Sequence, residues 1–171
     1  MGNWITNMKT VILTLFLTII SGYAYAQSPD VTTTSELFKE WNVRCVGNTG
    51  NQQCNMNNTL RAESGEIVSV INLTHVSDQT TLEIGLPLML DLQQKMSLLV
   101  DGNSFGDLPY ATCNNRACFV ISENDNVILG AFSEGSLATF SFTMYNQQQV
   151  KFDVSLQGFS AALSALKTKV Q

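Results

Sequence analysis

Four cysteines set in two close pairs constrain this chain more than any other feature. Cys45 and Cys54 bracket Gly47-Asn48-Thr49-Gly50-Asn51, and Cys113 and Cys118 bracket Asn114-Asn115. Four cysteines allow three pairings, and an even set in an exported chain reads as a disulfide framework. Spacing favours Cys45 with Cys54 and Cys113 with Cys118, because turn-forming residues inside each pair bring the two sulfurs face to face. Each closed loop would stabilise the fold by roughly 2 to 3 kcal/mol in the chain-entropy picture.

The compartment follows from the N-terminus. Lys9 precedes an apolar run from Val11 to Ile20, broken by Thr14 and Thr18, and Ala24-Tyr25-Ala26 forms an A-x-A cleavage signal, so residues 1–26 read as a signal peptide and the mature chain starts at Gln27. The run is well short of the ~20 apolar residues that a spanning helix needs, and no later stretch supplies them. Removing Lys9 leaves 8 basic against 14 acidic residues, a net charge of −6. That balance argues against nucleic acid or an anionic membrane as partner.

Residues 27–37 are polar and rich in threonine, and are expected to be a mobile leader. A single β domain over residues 38–171 follows. Trp41, Val43 and Cys45 alternate with Asn42 and Arg44, and Cys54 and Met56 repeat the pattern on a return strand, with Trp41 as a core anchor. Ile67 to Leu73 is β-branched and strand-like. Past a polar turn at residues 75–78, Leu82, Ile84 and Leu86 alternate with Thr81, Glu83 and Gly85 up to Pro87, which ends a strand. Met96, Leu98 and Val100 lead into Asp101–Val120, read as a central hairpin. Asp125 caps a helical turn through Val127, Ile128 and Ala131, stopped by Gly135.

The clearest alternation sets Ala138, Phe140, Phe142 and Met144 against Leu137, Thr139, Ser141, Thr143 and Tyr145. With Val150, Phe152 and Val154 it makes a hairpin. Phe159, Leu163 and Leu166 then form one apolar stripe of a C-terminal helix. Some eight short strands and one terminal helix give an all-β class, an antiparallel sandwich or barrel with a short C-terminal α-helix.

No constellation for catalysis emerges. His75 is the lone histidine, placed in a polar turn and expected to be solvated, so neither a zinc site nor a Ser-His-Asp triad can be assembled. Gly130-Ala-Phe-Ser133-Glu-Gly135 is one residue too long for a nucleophile elbow. Cys113 and Cys118 are separated by four residues rather than two, which suits a cross-strand disulfide better than a thiol oxidoreductase. The oxygen-rich runs Asp101–Asp107 and Glu123–Asn126 lack the EF-hand spacing and read as turns. No catalytic residue, cofactor or metal ligand is therefore expected.

Several short motifs in fixed order carry a wider likeness. They are Trp41-x-Val43-x-Cys45, Cys54-x-Met56, Leu86-Pro87-Leu88, Leu99-Val100-Asp101-Gly102 and Pro109-Tyr110-x-x-Cys113 with Cys118. Val154-Ser155-Leu156-x-Gly158-Phe159, with Ala162 and Leu166, completes the set. Across Trp41 to Leu166 the chain resembles the invasion-associated locus B family of exported bacterial proteins. Two places depart: members often carry glycine after Leu-Pro-Leu, where this chain has Met89, and a Pro-x-Gly turn where it has Gln93-Gln94-Lys95.

The resemblance implies a periplasmic, outer-membrane-associated or secreted protein linked to host-cell invasion or virulence, with no catalytic set. The leading expectation is a non-enzymatic interaction protein whose partner is a protein of the host-cell surface or of the bacterial envelope. Phe105, Leu108 and Tyr110 are its candidate partner surface. An envelope-maintenance or chaperone-like factor is the alternative, and a thiol-disulfide redox protein the third.

Overall fold

The computed structural model describes residues 31–48 and 51–169. The expected signal peptide, its cleavage point and residues 27–30 lie outside that range. In chain order the elements are β1 (Thr32–Phe38), β2 (Trp41–Asn48), β3 (Asn51–Arg61), β4 (Ile67–Val76) and β5 (Gln79–Leu86). Then come β6 (Met96–Val100), β7 (Asn103–Leu108), β8 (Thr112–Cys113), β9 (Cys118–Glu123) and α1 (Asn126–Glu134). β10 (Leu137–Thr143), β11 (Gln149–Ser155) and α2 (Phe159–Lys169) complete the series. No helix among the described residues is long and apolar enough to cross a membrane.

The strands form two antiparallel sheets, one of seven strands in the order β1-β2-β3-β4-β5-β9-β8 and one of four in the order β11-β10-β6-β7. The chain crosses between them three times. Strands β1 to β5 build the first sheet, β6 and β7 start the second, β8 and β9 return to the first, and β10 and β11 finish the second. Two-residue loops fit this winding. Ser77-Asp78 and Asp101-Gly102 both have positive φ at each position, as a type I′ hairpin turn requires.

Inward-facing residues of both sheets and both helices meet in one apolar core. An aromatic chain runs through it. Trp41 of β2 packs edge-on against Phe159 of α2, Phe159 against Phe132 of α1, and Phe132 against Phe140 of β10, with centroid separations of 4.9, 5.4 and 6.4 Å. Phe140 then stacks on Phe152 of β11 at 5.1 Å. The two helices thus fasten one sheet to the other. Edge-to-face pairs suit the quadrupoles of the rings.

A corner far apart in sequence closes beside this chain. The indole N–H of Trp41 donates to the Ser155 carbonyl at 3.1 Å, the Glu40 N–H reaches the Gln157 carbonyl at 3.5 Å, and the Asn58 amide donates to the Glu40 carbonyl at 2.9 Å. Gly158, at φ +90°, lets the start of α2 lie directly on the Phe38 peptide. The β1–β2 turn is clasped to the α2 entrance.

Residues 31–37 differ from expectation. In place of a mobile leader, β1 pairs along its whole length with β2, from Thr32 opposite Gly47 to Phe38 opposite Trp41. Its side chains are exposed apart from half-buried Phe38, so the strand is held by backbone hydrogen bonds, by the Glu36–Lys169 ion pair at 3.3 Å and by the bond from the Thr32 hydroxyl to the Gly47 carbonyl. Such a strand carries no alternation of polarity for a sequence reading to detect.

Asp101–Val120 is likewise not one central hairpin. Asn103–Leu108 is an edge of the second sheet and Thr112–Cys113 an edge of the first, so this stretch is the bridge between the sheets. Cys45 is bonded to Cys54 directly across β2 and β3, and Cys113 to Cys118 across β8 and β9. The Asn114 side chain accepts from the Arg116 and Ala117 amides at 2.7 and 3.0 Å. That Asx-type turn, rather than a left-handed asparagine, makes the tip.

Cys45, Cys54 and Cys118 are buried whereas Cys113 is exposed. Mild reductant at neutral pH is therefore expected to open Cys113–Cys118 first. Alkylation and mass spectrometry of a reduction time course would register this as early labelling of residues 113 and 118 with 45 and 54 still closed. Simultaneous labelling would refute it.

Candidate interaction surface

Asp101, Asn124 and Asp125 of the two oxygen-rich runs are engaged in holding the fold. The Asp101 carboxylate accepts from the Ser136 and Leu137 amides at 3.0 Å each, fixing the start of β10, and Asp125 accepts from the Val127 and Ile128 amides as the N-cap of α1. Asn124 accepts from the Thr80 amide at 2.8 Å. His75 is not solvated in a turn. Strand β4 runs on to Val76, so the alternation that buries Ile71 and Leu73 turns His75 inward as well, where Nδ1 pairs with the Thr80 hydroxyl at 2.9 Å.

Phe105, Leu108 and Tyr110 follow one another along the bridge between the sheets, half-buried and packed against the core. The Tyr110 hydroxyl is buried with no hydrogen-bond partner among the described residues. Burial, reinforced by the nearby Asp91 carboxylate, raises this phenol above its ordinary 10.0. A folded-state value above the unfolded one means the folded protein holds the proton longer. Stability from this group is then complete below pH ~10 and lost as pH rises through the folded value. Replacing Tyr110 by Phe is expected to leave stability at neutral pH unchanged or slightly higher, since an unpaired buried hydroxyl is removed, and to flatten the alkaline limb. Denaturation midpoints measured between pH 8 and about 11 would check both; an unchanged alkaline limb would be the contrary result.

Three of the exposed apolar groups lie where the loop after β5 meets the β10–β11 turn. Leu90 bridges to Met144, the Tyr145 amide donates to the Met89 carbonyl at 2.7 Å, and the Asp91 amide donates to the Thr143 carbonyl at 2.9 Å. The loop after β5 is thereby tied to the β10–β11 turn. Met89, Leu92 and Tyr145 are 67, 57 and 72% exposed on it. Met89 sits at φ +68°, the left-handed region that favours glycine. Met89→Gly is expected to stabilise by about 0.5 to 1 kcal/mol, the relief of strain exceeding the added chain entropy. Urea denaturation would measure it, and a loss of stability would contradict the strain.

Beyond that loop the outward face of the four-stranded sheet carries an open groove of about 600 Å³. Ser97, Asp107, Ser141 and Thr143 line its strand side, Gln93, Gln94 and Lys95 one wall, and Gln149 the rim. Ser141 stands opposite Ser97 in the register of β10 and β6, and Ser97 opposite Asp107 in that of β6 and β7. The Thr139 hydroxyl and the Gln147 amide nearby are bound to Asp153 and Asp91. By contrast, the side chains of Ser97, Ser141, Thr143, Gln94 and Gln149 bond to no other protein group among the described residues.

None of these groove residues was singled out from sequence as a site. One signal did exist: the outward register Thr139, Ser141, Thr143, Tyr145 ends a polar row in an exposed aromatic ring. The partners of that row on β6 and β7 are set by a pairing that periodicity does not specify.

Comparison with known proteins is consistent with this architecture. The family model described as Invasion associated locus B (IalB) protein matches residues 41–167. An invasion protein B homolog of Brucella abortus (strain 2308) is 27% identical over 154 residues, covering 88% of this chain and 89% of its own. The homolog from Brucella abortus biovar 1 (strain 9-941) matches with the same figures. The crystal structure of invasion associated protein B from Bartonella henselae superposes with a TM-score of 0.70 at 20% identity, covering 80% of this chain and 96% of that one. At that identity the likeness establishes the fold.

Proposed function

Because the chain belongs to the invasion associated locus B family, we propose that it is an exported, non-enzymatic interaction protein that contributes to host-cell invasion. The family match over residues 41–167 is the observation that carries this reading, and the names of the Brucella and Bartonella relatives accord with it. Two further features support it. Both disulfides belong to an oxidising compartment, which fits a periplasmic, outer-membrane-associated or secreted protein, and the lone histidine is committed to Thr80 inside the first sheet. The partner is a component of the host-cell surface or of the bacterial envelope.

Gene deletion tests the proposal. Entry into cultured host cells is expected to fall several-fold and to recover on complementation, and purified protein is expected to bind the host-cell surface or an envelope fraction. Unchanged invasion together with absent binding would sink it. Normal invasion with detergent sensitivity and co-purification with outer-membrane proteins would replace it by an envelope-maintenance role.

A further inference from the structure

The groove on the second sheet has a chemistry that narrows what can occupy it. Its strand side presents hydroxyls from Ser97, Ser141 and Thr143. Phe142, which also borders the groove, is buried, so no exposed apolar side chain interrupts them, which disfavours a protein interface, whose centre is apolar. Its one cation, Lys95, is offset by its one carboxylate, Asp107. An anionic polymer would meet neither a basic groove nor a basic protein, since the exported chain carries 8 basic against 14 acidic residues.

What remains suits an uncharged, hydroxyl-rich ligand. Hydroxyls and primary amides each combine donors with acceptors, as a sugar ring's own hydroxyls do, and among the described residues these side chains bond to no other protein group. Tyr145, in the turn two residues past Thr143, offers a ring that is 72% exposed. A pyranose has an apolar C–H face that packs on such a ring, and tyrosine supplies both an apolar body and a polar tip. The volume of about 600 Å³ lies within the range of small-molecule sites.

We propose that this groove binds a neutral saccharide, with Tyr145 of the adjoining β10–β11 turn as the stacking ring and Gln94, Gln149, Ser141 and Thr143 as hydrogen-bonding groups. The inference rests on the interaction-protein reading and gives it a ligand class. Free, protein-linked and lipid-linked glycans share the recognised chemistry.

The test is an NMR titration of the isotope-labelled, exported protein with chitotriose, cellotriose and mannotriose, and with 3′-sialyllactose as an acidic comparison. At least one neutral trisaccharide is expected to shift the side-chain amide signals of Gln93, Gln94 and Gln149, with a dissociation constant on the order of 1 mM for so open a site. Tyr145→Ala and Gln94→Ala are each expected to weaken that binding about tenfold. Both side chains are exposed, so the melting temperature should stay at the wild-type value, which separates lost contact from lost fold. Absence of shifts with every neutral sugar, shifts elsewhere on the surface, tighter binding of the acidic sugar, or wild-type affinity in both variants would each overturn the proposal. Invasion lost on deletion with no saccharide bound would leave the interaction reading standing and remove only the ligand assigned here.

Discussion

Trp41→Ala is expected to destabilise the protein by about 4 kcal/mol, the middle of the range for emptying a buried aromatic site. The indole is fully buried, lies edge-on to Phe159 at 4.9 Å and donates to the Ser155 carbonyl at 3.1 Å. Truncation therefore leaves a cavity and takes the indole donor from that carbonyl. The ring also stands at the start of the aromatic chain that joins the sheets, which limits how far the neighbours can collapse into the space. For a domain of this size the loss corresponds to a drop in melting temperature of about 10 to 15 °C. Trp41→Phe, which keeps much of the packing and removes the donor, is expected to cost about 1 to 2 kcal/mol. Chemical denaturation followed by circular dichroism measures both. An alanine cost below about 1.5 kcal/mol would show that the core repacks and that Trp41 is no anchor.

A comparable loss is expected from a change of one methyl group. At Gly158 an added Cβ would meet the carbonyl oxygen of Phe38 and lie 2.7 Å from its carbonyl carbon, at a backbone φ of +90°. These are main-chain atoms, which cannot rotate aside as a side chain can. Gly158→Ala must part the β1–β2 turn from the entrance of α2, and a cost of at least about 3 kcal/mol follows from the clash and the left-handed strain together. A specific signature accompanies it. Amides of residues 32–37 should exchange faster with solvent, because β1 has backbone bonds to β2 but almost no buried side chains. Wild-type stability and unchanged exchange in β1 would show that the corner has slack.

Much of the fold was legible because the side chains that decide it alternate. Trp41, Val43 and Cys45, then Leu82, Ile84 and Leu86, then Ala138, Phe140 and Phe142 all face the core, and α2 buries the stripe of Phe159, Leu163 and Leu166. The misses share one cause. Strand β1 is held by its backbone and shows no polarity pattern. His75 continues a strand through residues whose composition suggested a turn, and the bridge from Phe105 to Tyr110 looked like one hairpin because nothing in a short run states which sheet it joins. The groove is a still harder case. Its hydroxyls come from β6 and β10, some forty residues apart, and only the pairing of Ser97 with Ser141 puts them side by side.

The same corner that Gly158 permits has a bearing on the order in which the chain acquires structure. Phe38 to Trp41 meets Gln157 to Phe159 across almost the whole length of the domain. A chain that emerges N-terminus first, from a ribosome or from a translocation pore, cannot join these partners until nearly its last residue is free. Contacts of such high sequence separation carry a large loop-closure entropy and make folding slow. Strands β1 and β2 pair locally before then, but the turn that joins them has no α2 entrance to close on. The clasp acts as a late seal, closing the domain only once the start of α2 is available.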